Sequence, residues 1–197
     1  MTQRDLIKLL AAMAGEYGKR IFSLREFALL CRETEAASGM ALLRAEREGI
    51  VGKVKNLWFN KLDKPSLEAL ALALRSPTYI SFESALYTHG ILSQSPRGAL
   101  MIATTGRGGS IETPLGSLRY IHLAEKYFFG FDAQRTALPE KALLDMIYAA
   151  TKTGTGVMGA EVLYLEHLNK RRLRAFAEKF PRCIGNKIRA LRNIKEA

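Results

Sequence analysis

The chain has 197 residues, 48% apolar and 25% charged, enough to bury a sizeable core and ordinary for a soluble globular protein. No apolar run approaches the roughly 18 residues of a membrane-spanning helix, and the N-terminus lacks the basic region and long apolar run of a secretory signal, so a cytoplasmic protein with no membrane partner is expected. The net charge is +11, and it is unevenly placed: residues 1–76 hold 13 Lys/Arg and 9 Asp/Glu, residues 77–150 hold 6 of each, and residues 151–197 hold 11 and 4. A neutral middle between two basic ends points to an anionic partner, nucleic acid first.

The N-terminal segment, 1 to about 62, opens with Leu6, Leu9, Leu10 and Met13 at helical spacing, with Gly15 as the expected cap. Ser23-Leu24-Arg25-Glu26 has the form of a capping box, with Phe22 and Phe27 at the staple positions. The helix it starts is expected to bury Phe27, Leu30 and Cys31. Thr34 can cap a third helix whose inward stripe is Ala41, Leu42 and Ala45 and which Gly49 ends. Two β-rich runs around Lys55-Asn56 then read as a hairpin.

Three helices and a hairpin in this order make a winged helix-turn-helix, whose third helix enters a major groove. Arg44 and Arg47 lie off the inward stripe and suit base contacts, since an arginine can grip guanine with two hydrogen bonds. Thr34 and Ser38 lie near the helix N-terminus, where phosphate is favoured. Lys53, Lys55 and Asn56 on the wing suit backbone contacts.

From 63 to 197 the pattern is α+β. Leu67, Leu70, Ala71 and Leu74 give an amphipathic helix, and Ser81 caps another. Strands are expected at 99–104, 118–122 and 127–131, as a mostly antiparallel sheet, and Pro139 starts a helix with a broad apolar face. Helices before and after a run of strands indicate α+β organisation. The glycine-rich stretch 105–110 reads as a mobile hairpin loop, with Arg107 at its tip able to touch DNA or a partner. Gly154, Gly156 and Gly159 match GxGxxG, but a helix precedes them where a nucleotide site needs a strand.

The last segment reads as basic helices. Ala160 to Leu168 is expected to be helical, and Asn169 caps a helix bearing Lys170, Arg171, Arg172 and Arg174. Cations at a helix start oppose its dipole, so an anion is expected there. A final helix after Gly185 and Asn186 shows Lys187, Arg189, Arg192 and Lys195. Together these form a candidate second surface for nucleic acid or a partner. The cysteines Cys31 and Cys183 and the isolated histidines show no metal spacing, and no cofactor is expected.

Three phrases carry a further signal: Pro77-Thr78-Tyr79-Ile80-Ser81-Phe82-Glu83-Ser84-Ala85-Leu86, then Glu112-Thr113-Pro114-Leu115-Gly116-Ser117-Leu118-Arg119-Tyr120, then Pro139-Glu140-Lys141-Ala142-Leu143-Leu144-Asp145. In this order, behind a winged helix, they resemble the AbiEi-type antitoxins of bacterial abortive-infection (phage-defence) toxin–antitoxin pairs. The chain departs from that pattern at Leu138, where a small polar cap is usual. The resemblance implies a non-enzymatic protein that represses its own operon by binding double-stranded operator DNA; a dimer or cooperative pair on that DNA is a separate expectation, and the residues leave the oligomeric state open. It further implies that the larger domain neutralises a nucleotidyltransferase-like toxin, without need of a stable complex. Two other readings stay open from the residues alone: a winged-helix regulator with a ligand-sensing domain, and a nucleic-acid-processing enzyme.

Overall fold

The computed structural model describes residues 1–94, 96, 98–155 and 163–188. The chain divides into two compact units, Met1–Leu74 with Thr113–Leu115, and Arg75–Glu112 with Gly116–Ala197. The division falls after Leu74, beyond the boundary at 62 suggested by sequence, so the helix Leu67–Leu74 goes with the first unit. Among the described residues no helix is long and apolar enough to cross a membrane.

The first unit runs α1 (Gln3–Tyr17), β1 (Ile21–Ser23), α2 (Leu24–Cys31), α3 (Glu35–Arg47), β2 (Val51–Val54), β3 (Leu57–Asn60) and α4 (Leu67–Leu74). Thr2 and Asp5 cap α1 reciprocally, and it continues through Gly15 to end at Gly18, whose φ of 61° is the left-handed value a glycine adopts freely. Ser23 and Glu26 form the expected capping box on α2. The Phe22 and Phe27 rings stack 5.5 Å apart as the staple. Phe27 and Ala28 are buried, whereas Leu30 is 43% exposed and faces solvent, contrary to expectation.

β1 is a three-residue strand that the sequence did not announce. It pairs antiparallel with β3, which also pairs with β2, giving the order β1-β3-β2. Gly52 is needed in β2 because a Cβ there would lie 2.2 Å from the Phe59 ring on the opposing strand. Leu10, Met13, Phe22, Phe27, Leu42 and Trp58 form the core beneath this sheet.

The second unit contains β4 (Thr78–Ile80), α5 (Phe82–Thr88), β5 (Ala99–Thr104), β6 (Gly109–Thr113), β7 (Gly116–His122), a 3-10 turn at Glu125–Tyr127, α6 (Pro139–Thr153), a second 3-10 turn at Leu165–His167, and α7 (Lys170–Ala177). Residues 182–188 are also helical. The sheet order is β4-β5-β7-β6. β4 and β5 are antiparallel, while β5 and β7 are parallel, because the chain crosses to the outer edge and returns through the β6–β7 hairpin. Counted over both units the sheets are mostly antiparallel, and the class is α+β.

Four expectations for this unit are corrected. Gly109 and Ser110 begin strand β6 instead of tipping a hairpin loop, the crossing loop is held by the His122 ring to Gly106 O at 3.0 Å, and a Cβ at Gly108 would lie only 3.0 Å from Tyr120 O. Residues 127–131 form no strand: Tyr127 closes a 3-10 turn, Gly130 takes φ 74°, and the Phe128 and Phe131 rings pack on Tyr79. Their aromatic content, which favours strands, serves the core instead. The expected helix 160–168 is replaced from Leu163 onward by a bridge to Leu92 and the 3-10 turn; residues 160–162 lie outside the described part. The final helix starts before Gly185, at residue 182.

Candidate nucleic-acid interface

Local capping and one buried stripe set the orientation of α3. The Thr34 hydroxyl accepts from Ala37 N–H at 3.2 Å, satisfying an end group that the helix itself cannot. Ser38, Ala41, Leu42 and Ala45 are buried. Ser38 is therefore corrected: it is 2% exposed, its hydroxyl has no partner among the described atoms, and it faces the core instead of a phosphate. Thr34 remains exposed.

The face opposite this stripe, by helical spacing, carries Ala36, Met40, Leu43 and Arg47, with Arg44 beside them. All five are exposed, Met40 at 61% and Leu43 at 40%. Arg44 makes a long contact, 3.4 Å, from Nε to Met40 O, which leaves the guanidinium end clear of it. Among the described residues neither Arg44 nor Arg47 is in an ion pair. The apolar members of this face were missed from sequence, although the spacing from Ala41 and Leu42 would have located them.

The wing turns at Lys55 and Asn56, both exposed, with Lys55 at φ 56°. The Lys53 ammonium lies 4.9 Å from the centre of the Trp58 ring on the paired strand, which holds it near the sheet surface by a cation–π contact.

The basic C-terminal helix is arranged differently from its sequence reading. Asn169 caps α7, accepting from Arg172 N–H at 3.0 Å. The anion expected at this helix start is the chain's own Glu140, which is 1% exposed. Its carboxylate accepts from Asn169 N–H at 2.7 Å and from the Arg172 guanidinium at 3.3 Å. Arg172 is thus committed to Glu140, while Lys170, Arg171 and Arg174 stay exposed. Lys187 donates to Thr151 Oγ1 at 2.9 Å. Arg107 is exposed, and its carbonyl accepts from Arg75 at 2.5 Å. Arg189 and Arg192 lie outside the described residues.

A buried polar cluster ties β4 to α6. Lys141 and Asp145, one turn apart and both fully buried, form an ion pair. Asp145 also accepts from the Tyr79 and Ser81 hydroxyls, each at 2.8 Å, and Lys141 donates to Tyr79 Oη at 2.8 Å. The rings of Tyr79, Phe129 and Phe180 surround the ammonium at 5.0–5.3 Å. Burial pushes the Asp145 carboxyl up and the Lys141 ammonium down, and each counters the shift of the other. The same burial, with Asp145 next to it, raises the Tyr79 hydroxyl far above its ordinary range, so it stays a donor. Ser81 spends its hydroxyl here and leaves α5 without the side-chain cap that its position suggests. Every polar group in this cluster has a partner, which marks it as a structural tie.

An N-terminal winged helix-turn-helix joined to an α+β unit with basic C-terminal helices is therefore the class of fold. No protein-family model and no curated protein matches the chain. It is similar to the crystal structure of the RV2827C protein from Mycobacterium tuberculosis, with a TM-score of 0.60 and 15% identity over 97% of this chain and 76% of that one. At that identity the likeness is one of fold.

Proposed function

We propose that the chain is a DNA-binding autorepressor and antitoxin of the AbiEi type, acting in the cytoplasm by binding and not by catalysis. The observation that carries the DNA-binding half is the outward face of α3: Arg44 and Arg47 are exposed and outside any ion pair among the described residues, on the helix that a winged helix lays in the major groove. Thr34 at its start and Lys53, Lys55 and Asn56 on the wing supply phosphate contacts. They fix register without reading sequence. Lys170, Arg171 and Arg174 on α7 add a weaker phosphate-facing surface, from which Arg172 is removed by Glu140.

The antitoxin half rests on the three phrases between Pro77 and Asp145 and on their resemblance to that family. The partner it implies is a nucleotidyltransferase-like toxin. The two halves separate in one experiment on the full chain. Arg44→Ala with Arg47→Ala should abolish repression of a reporter fused to the chain's own promoter. The same variant should still rescue cells that express an adjacent nucleotidyltransferase-like toxin. Loss of rescue in a folded variant would place neutralisation in the winged helix. Repression that survives the double substitution would remove α3 from operator reading.

A further inference from the structure

Met40 and Leu43 lie on the helix face that the proposed function turns toward DNA, and they are large, apolar and exposed at 61% and 40%. Singly scattered apolar residues need no explanation, but these stand one turn apart in one stripe with Ala36. Arg47 continues the stripe and Arg44 flanks it. Glu35 and Glu46 fall by spacing on the other flank, and Glu48, which caps the helix, follows Arg44 by four residues on its side. The stripe thus combines an apolar centre with a cationic C-terminal end.

A major groove offers one apolar group to such a centre, the C5-methyl of thymine. We infer that Met40 and Leu43 are specificity-determining residues that read thymine methyl groups, so that the preferred site places thymines where α3 lies, next to guanines on the side of Arg44 and Arg47. The occupant is duplex DNA because the arginines at the rim complement phosphate and guanine, and the basic excess of the N-terminal segment has the same sign. This inference rests on the reading of α3 as the groove-entering helix. It adds which base that helix selects and by which atoms.

The test replaces thymine by uracil, which removes the methyl and changes nothing else on the base edge. Duplexes are first selected by the full chain from a randomised pool, and each thymine in the selected core is then exchanged in turn. Parent protein should lose about fourfold in affinity for each contacted thymine, as expected for one methyl returned to water. Met40→Ala and Leu43→Ala, at exposed helical positions that accept alanine, should each become indifferent to uracil at one position. Arg44→Ala should bind more weakly yet keep the uracil response. Tight, sequence-selective binding that ignores uracil at every position would overturn the inference and leave DNA binding standing. Selection of no duplex at all would overturn both. Dissociation of an oligomer by Met40→Ala or Leu43→Ala, with the uracil response intact, would assign the stripe to a protein interface and overturn the inference.

Discussion

Lys141 shows how strongly one residue's environment constrains the second unit. Removing it leaves Asp145 charged and unpaired at 0% exposure. Lys141→Met should therefore cost about 3–5 kcal/mol. Adding Asp145→Leu should recover only part of that loss, since it removes the orphaned charge but leaves the Tyr79 and Ser81 hydroxyls without their acceptor. Glu26 behaves in the opposite sense. Lys19 at 2.5 Å, then the Ser23 backbone, hold its carboxyl below the ordinary 4.5. A depressed folded value means that its contribution is complete above about pH 4.5 and is lost as pH falls through the folded value. The group is 44% exposed, so the contribution is at most about 1 kcal/mol. Glu26→Gln should lower stability at pH 7, flatten the acid limb of a stability–pH curve, and match the parent at low pH. A variant curve parallel to the parent through pH 3–5 would show that Glu26 is not coupled to folding.

Among elements, the first unit was largely legible because its signals are local. Ser23 with Glu26, Thr34, and Gly49 just past the end of α3 each act within a turn of where they stand. β1 was not legible, since three residues carry no periodicity and are strands only because Phe22 lies opposite Trp58. In the second unit two of the misreadings come from contacts distant in sequence. Tyr127 to Phe131 have the composition of a strand, but their rings are drawn into the cluster around Tyr79, Lys141 and Phe180. The cationic start of α7 was read as a site for an outside anion because Glu140, 29 residues before Asn169, has no sequence signal of its own. This gives a prediction at the element scale. Glu140→Ala should cost about 1–3 kcal/mol and selectively speed amide exchange across α7. Glu140→Gln, which keeps an acceptor for Asn169 N–H, should restore part of the protection.

Over the whole molecule, charge is partitioned as function would require under the proposal: cations on the winged helix and on the C-terminal helices, and between them a segment of zero net charge that buries Glu140, Lys141 and Asp145. If both basic regions touch phosphate, each contributes separately to the dependence of affinity on salt. Lys170→Ala with Arg171→Ala should reduce the slope of log affinity against log salt by about 0.9 per lost contact while leaving sequence preference unchanged. Adding Arg172→Ala should change stability more than slope, because that guanidinium is bound to Glu140. The most direct measurement for the central claim is the affinity of the full chain for duplex DNA from its own promoter, compared with an unrelated duplex at several salt concentrations, for the parent and for Arg44→Ala and Arg47→Ala. The account predicts preference for the promoter duplex, with each substitution costing about 1–3 kcal/mol on that duplex and much less on the unrelated one. Equal losses on both duplexes, or none on either, would contradict it.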